Sequence, residues 1–129
     1  MPLMDRPAYE NLLTELHAAR LEGPVDRLVA LFAPDVRFRI VGASDGRPIA
    51  INAQGEQGVR PWLAMLLKTF RLTEYCVLSI TIDGRHATVH WTVNIHSRIT
   101  GSMVATELVD MVEVRDRKIV SYTELFVPR

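Results

Sequence analysis

From Leu72 to Val127 the chain alternates apolar and polar residues almost without a break, and nothing else in it constrains the fold as tightly. Val89, Trp91, Val93 and Ile95 interleave with His90, Thr92, Asn94 and His96. Successive side chains of a strand point to opposite faces, so this spacing makes one face apolar and the other polar. Four strands are predicted, at about residues 73–83, 86–98, 103–115 and 118–127. Asp83-Gly84 and Asp116-Arg117 mark tight turns between them, and Ile99-Thr100-Gly101-Ser102 marks a looser one.

The residues in front read differently. Tyr9, Leu12, Leu13, Leu16 and Ala19 recur at spacings of three and four, which predicts a helix from Asp5 or Arg6 to Glu22, ended by Gly23. Pro24 can open a second, short helix that buries Val25, Leu28, Val29 and Phe32 before Pro34 stops it. Residues 36–41 form a strand with Phe38 and Ile40 on one face and Arg37 and Arg39 on the other. Residues 42–57, rich in glycine and small polar side chains, are expected as a loop, with a short strand at Pro48-Ile49-Ala50-Ile51. A third helix is placed over residues 58–71, with Pro61 near its start and Trp62, Leu63, Leu66, Leu67 and Phe70 as its apolar face. Helices followed by a long antiparallel run predict an α+β domain whose curved sheet wraps its own helices and leaves a pocket. At 129 residues the chain is expected to be a single domain, residues 1–129.

Composition removes several functions. Fifteen Lys and Arg balance fifteen Asp and Glu, and no basic stripe alternates with aromatics, so no nucleic-acid partner is expected. No segment approaches the ~20 apolar residues that span a bilayer, and the amino end lacks the apolar core of a signal peptide. The single cysteine, Cys76, excludes an internal disulfide and is expected as a buried, inert thiol of a cytoplasmic protein. His90 and His96 share a strand face but would stand roughly 20 Å apart, too far to converge on one ion. No metal site is expected. No phosphate-binding glycine loop, nucleophile elbow or dinucleotide fingerprint is present, so no cofactor is expected either.

Three stretches, together with the order of elements, carry a family likeness. They are Leu28-Val29-Ala30-Leu31-Phe32-Ala33-Pro34-Asp35, Gly58 at the third helix, and the terminal run Asp116-Arg117-Lys118-Ile119-Val120-Ser121-Tyr122-Thr123-Glu124-Leu125-Phe126. The chain resembles the nuclear transport factor 2-like superfamily, which includes ketosteroid isomerases, limonene-epoxide hydrolases, SnoaL-type polyketide cyclases and many pure binding domains. The resemblance implies a cone-shaped, curved, mostly antiparallel sheet wrapped around three amino-terminal helices, a cystatin-like α+β barrel. It departs from the usual Asp-Gly of the last hairpin, which is Asp116-Arg117 here. The carboxylate base, tyrosine and protonated acid of the steroid isomerases match Ile40, Leu16 and Val109, which implies that steroid isomerisation is lost. The arginine and first acid of the epoxide hydrolases fall on Trp91 and Val93, and only their last acid is kept in kind, as Glu124.

The resemblance places Met103, Ala105, Glu107, Val109 and Met111 beside the apolar face of residues 86–98, with Tyr122, Glu124 and Phe126 next to them. A two-residue turn at Asp116-Arg117 sets Val109 opposite Glu124 and makes Glu107 and Glu124 diagonal neighbours, about 7 Å apart. Two carboxyls in an apolar cavity cannot both ionise cheaply, so at least one would be poised as a general acid or base near neutral pH. The expected catalytic residues are Glu124, Glu107 and Tyr122. The expected pocket wall is Leu16, Ile40, Trp62, Trp91, Val93, Met103, Val109, Met111 and Phe126. Other readings stand beside this one: Glu107 bonded to Arg98 or a backbone amide, Glu124 paired with His17 or Arg20, and Tyr122 as plain cavity wall. The function classes are a cofactor-free isomerase, cyclase or hydrolase acting on a small apolar metabolite, a binding domain for such a molecule, and an interaction module. On the convex face, Leu108, Val112, Val114, Ile119 and Leu125 among Asp110, Ser121 and Thr123 predict a homodimer, and relatives commonly pair through that face.

Overall fold

A computed structural model of the chain describes residues 3–44 and 47–128. Helix α1 spans Arg6–Glu22; the Asp5 carboxylate accepts from the Ala8 amide at 2.8 Å, and Gly23, at φ +70°, closes the helix. Its buried stripe runs Tyr9, Leu13, Leu16, Ala19, and on the same stripe lie two polar residues, His17 and Arg20. Helix α2 is one turn, Val25–Val29. Strand β1, Phe32–Ser44, starts before Pro34 rather than after it. A proline cannot donate to a ladder, and the pairing of β1 is irregular between Phe32 and Arg37, where Pro34 sits.

Most of the expected loop is a hairpin. Strand β2, Arg47–Gln54, runs back along β1, and Asp45 and Gly46, part of the expected loop, lie outside the described residues. Helix α3, Gly55–Thr69, begins three residues earlier than expected, so Pro61 falls inside it. Strands β3 (Phe70–Asp83), β4 (His86–Ser97), β5 (Met103–Arg115) and β6 (Lys118–Phe126) follow. The six strands form one curved, unclosed sheet in the order β2-β1-β6-β5-β4-β3, antiparallel except where β1 runs beside β6. Val89, Trp91 and Val93 of β4 are buried as the alternation predicts, against Leu13 and Leu16 of α1 and Leu63 of α3 in one core. Among the described residues no helix is long and apolar enough to cross a membrane.

The last hairpin turns on two residues as expected, with Asp116 and Arg117 both at positive φ. Its register does not continue as expected. After Val114 pairs with Ile119 the ladder shifts, and Glu113 pairs with Ser121, leaving Val120 as an extra residue. Beyond this bulge Asp110, not Val109, stands opposite Glu124, and Leu108, not Glu107, stands opposite Phe126. A one-residue slip exchanges the two faces of a strand. Val104, Thr106, Leu108, Asp110, Val112 and Val114 therefore point inward on β5, while Met103, Ala105, Glu107, Val109 and Met111 lie on the outer face.

This corrects two expectations together, and a third, on β3, is corrected separately. Glu107, Met103, Val109 and Met111 are not beside the pocket. Leu108, Val112, Val114, Ile119 and Asp110 belong to the interior rather than to a convex apolar face. Cys76 is exposed, next to an irregularity of β3 between Thr73 and Cys76, and is not a buried thiol.

Candidate active site

Helix α1 crosses the concave face of the sheet, and residues three apart on a helix share a side. His17 and Arg20 are thus delivered together onto β5 and β6. Arg20 donates from Nη1 to Glu124 Oε2 at 2.6 Å and from Nη2 to Oε1 at 3.2 Å, a two-point clasp, and Nη1 also reaches the Tyr122 hydroxyl at 2.9 Å. That hydroxyl lies 2.9 Å from Asp110 Oδ2 and 3.0 Å from Glu124 Oε2. His17 Nε2 sits 2.8 Å from the same Asp110 oxygen, and Nδ1 sits 2.5 Å from the hydroxyl of Tyr75 on β3. The Trp91 ring stacks at a tilt on His17, with centroids 4.5 Å apart. Asp110 Oδ1 and Trp91 Nε1 are both buried with no partner in bonding geometry.

Burial dominates the electrostatics. Asp110 and Glu124 face each other across the ladder and are both buried, and this burial raises both carboxyls above the ordinary carboxylate range, while Arg20 opposes the rise. One cation serves two acids, so the pair holds a proton more readily than free carboxyls do. His17 is pushed down to about 4, first by burial and then by the Arg20 charge. A neutral imidazole carries one N–H, and an acid accepts it better than a phenol does. The consistent tautomer has Nε2–H donating to Asp110 and Nδ1 accepting from Tyr75.

A cavity of about 270 Å³ opens against one side of this cluster. Leu28, Ile40, Ile49, Ile51, Leu63, Leu66, Leu67, Phe70, Leu72, Ile95 and Phe126 are among its lining residues, and among the described residues Arg20 and Glu124 are the only charged ones. Of the residues expected from sequence, Glu124 and Tyr122 are in the cluster, and Ile40 and Phe126 line the cavity. Trp91 is buried beside the cluster, Leu16 and Val93 are fully in the core, and Trp62 stands 40% exposed on α3 away from the cavity wall. Glu107 pairs instead with His90 on the outer face, Oε2 to Nε2 at 2.5 Å.

Sequence reasoning missed Asp110 and Tyr75 and treated His17 and Arg20 only as pairing partners. Two signals were available. His17 and Arg20 follow Leu13 and Leu16 by four residues, so both continue the buried stripe of α1. On β5, one alternating set carries Glu107, Glu113 and Arg115, whereas the other carries Asp110 as its one charge. The less charged face is the inward one.

A family model described as a SnoaL-like domain matches residues 13–122. The chain belongs to the SnoaL-like domain family. The fold of this SnoaL-like chain is that of the nuclear transport factor 2-like superfamily. An NTF2-like protein from Burkholderia xenovorans LB400 superposes with a TM-score of 0.78 at 18% identity, over 96% of this chain and 92% of that one. An LEH-like epoxide hydrolase from M. tuberculosis gives 0.75 at 16% identity, over 94% and 84%. A protein of ketosteroid isomerase-like fold from Catenulispora acidiphila DSM 44928, in complex with trimethylamine, gives 0.72 at 18% identity, over 88% and 82%. At these identities the likeness is one of fold. No curated protein matches the sequence of this SnoaL-like chain significantly.

Proposed function

We propose that this SnoaL-like domain is a cofactor-independent enzyme for a small, mostly apolar molecule bearing one oxygen function, such as a cyclic ketone or an epoxide. One observation carries the reading: an apolar cavity whose only charged wall groups, among the described residues, are a clasped arginine and a carboxyl with a raised pKa. An apolar body would be held by the isoleucines and leucines, and its oxygen would seek the only charged spot. Glu124, whose carboxyl burial raises above the ordinary range, is the general acid/base. Asp110 takes the part foreseen for Glu107, raising the proton affinity of Glu124 from across the ladder. Arg20 stabilises negative charge developing on the substrate oxygen. A cytoplasmic location and a single domain belong to the same reading.

A second reading, a binding domain without turnover, is favoured by Arg20, three of whose five N–H donors are already taken by Glu124 and Tyr122. Titration with a panel of C6–C10 cyclic ketones and epoxides separates the two. The methyl signals of Ile40, Ile49, Ile51 and Ile95 should shift on binding, and product should form with the wild type but not with Glu124→Gln. Shifts without product in the wild type leave the binding domain; no shift with any compound refutes both.

A further inference from the structure

The cluster is longer than an acid/base pair needs. Tyr75 is 36% exposed, yet its hydroxyl is spent on His17, which is 2% exposed. From there the contacts run His17 to Asp110 at 2.8 Å, Asp110 to Tyr122 at 2.9 Å and Tyr122 to Glu124 at 3.0 Å. The contacts of His17 and Tyr122 to Asp110 converge on one oxygen, Oδ2. That convergence makes the chain continuous through a single atom.

We infer that Tyr75, His17, Asp110 and Tyr122 form a proton path that exchanges the Glu124 proton with solvent from behind the pocket. The inference rests on Glu124 being the acid/base group proposed above. An apolar molecule in the cavity would keep water from the front of Glu124, since among the described residues the wall is apolar apart from Arg20 and Glu124. The back route then reloads it. With Glu124 ionised and Asp110 holding the shared proton, Tyr122 passes its hydroxyl proton to Glu124 Oε2 and takes the proton of Asp110 Oδ2. Asp110 is refilled by the Nε2 proton of His17, His17 Nδ1 takes the proton of Tyr75, and Tyr75 takes one from water. One proton enters, one arrives, and the imidazole is left as its other tautomer; the reverse passage restores it. The charged and titratable groups around His17 are Arg20 on its own helix, Tyr75 from β3, Asp110 from β5 and Tyr122 and Glu124 from β6. A neutral His17, pushed down to about 4, can both accept and donate at physiological pH.

The test is carboxyl proton exchange by ¹³C NMR on the free protein, comparing wild type with Tyr75→Phe. The variant loses one hydroxyl at a position already one-third exposed. The exchange rate at Glu124 should fall at least tenfold while its titration midpoint stays within half a unit. An unchanged rate overturns the path. Independently of any variant, ¹⁵N shifts of His17 in the wild type should report a protonated Nε2 and a bare Nδ1 at pH 7; the opposite tautomer or a charged ring overturns it too. Adding cyclohexanone tests the other reading alone: unshifted pocket methyls count against the proposed substrate class and leave the exchange comparison intact.

Discussion

Arg20→Met tests the electrostatic reading of the site most directly. Arg20 is 8% exposed and donates three hydrogen bonds, two to Glu124 and one to Tyr122. Removing one partner of a buried pair strands the other, at a typical cost of about 3–5 kcal/mol, against a total stability of about 5–15 kcal/mol for a domain. The stranded group here has a way out. With Arg20 gone, nothing opposes the desolvation that raises Glu124 and Asp110, so their folded pKa values climb further above the unfolded value of about 4.

A carboxyl whose folded pKa is raised binds its proton in the native state while the unfolded chain has already lost it. Stability then falls as pH rises from the unfolded pKa towards the folded one, by up to about 1.4 kcal/mol per pH unit for each group. The loss in Arg20→Met should therefore be modest at pH 5, where Glu124 is protonated, and approach about 3–5 kcal/mol at pH 7.5. Glu124→Met added to Arg20→Met removes both charges, and the double variant should recover to within about 1–2 kcal/mol of wild type at pH 7.5. Urea unfolding of the three variants and the wild type at both pH values measures all of this. An Arg20→Met loss that is the same at pH 5 and 7.5, or a double variant no better than the single one, would refute a buried pair whose carboxyl takes up a proton.

Asp110→Asn should lower the Glu124 pKa by removing the facing charge, whereas Glu107→Gln, on the outer face with His90, should leave it unmoved and change stability by no more than about 0.5 kcal/mol; ¹³C carboxyl titration that finds the reverse would restore the unbulged register. His17 has its folded pKa near 4, below the ordinary 6.5, so it makes the protein lose stability as pH falls from 6.5 towards 4, by roughly 3 kcal/mol in all. The raised carboxyls act oppositely, so the wild-type melting temperature should change little between pH 4.5 and 6.5, while that of His17→Met should fall steadily as pH rises; parallel profiles would contradict this. A two-fold homodimer through the outer sheet face remains proposed, now resting on Met103, Val109, Met111 and Leu125 rather than on the residues first expected. Light scattering should report a dimer at micromolar concentration, and Met111→Asp should dissociate it; a wild-type monomer would end the idea.

What the sequence made legible follows from where its signals are redundant. The helices and strands are each announced by many apolar positions, so the element order and the buried face of β4 survive one or two odd residues. The face of β5 had no such redundancy. Met103, Val109 and Met111 on one side compete with Val104, Leu108 and Val112 on the other, so hydrophobicity alone does not choose. The family likeness favours the side of Met103, Glu107 and Val109, and a two-residue turn at Asp116-Arg117, which the structure has, agrees with that side. Val120 then undid it, because a bulge needs only one residue and carries no compositional mark of its own. A titratable side chain on an apolar stripe is the better guide. Asp110 on β5 and His17 and Arg20 on α1 each interrupt a surface that packing would otherwise make wholly apolar, and each is satisfied within one network: His17 by Asp110 and Tyr75, Asp110 by His17 and Tyr122, and Arg20 by Glu124 and Tyr122. Such residues cost stability singly and make sense only together. Three isolated violations of pattern, on elements that the fold brings face to face, therefore point to one site, and they do so before any register is known.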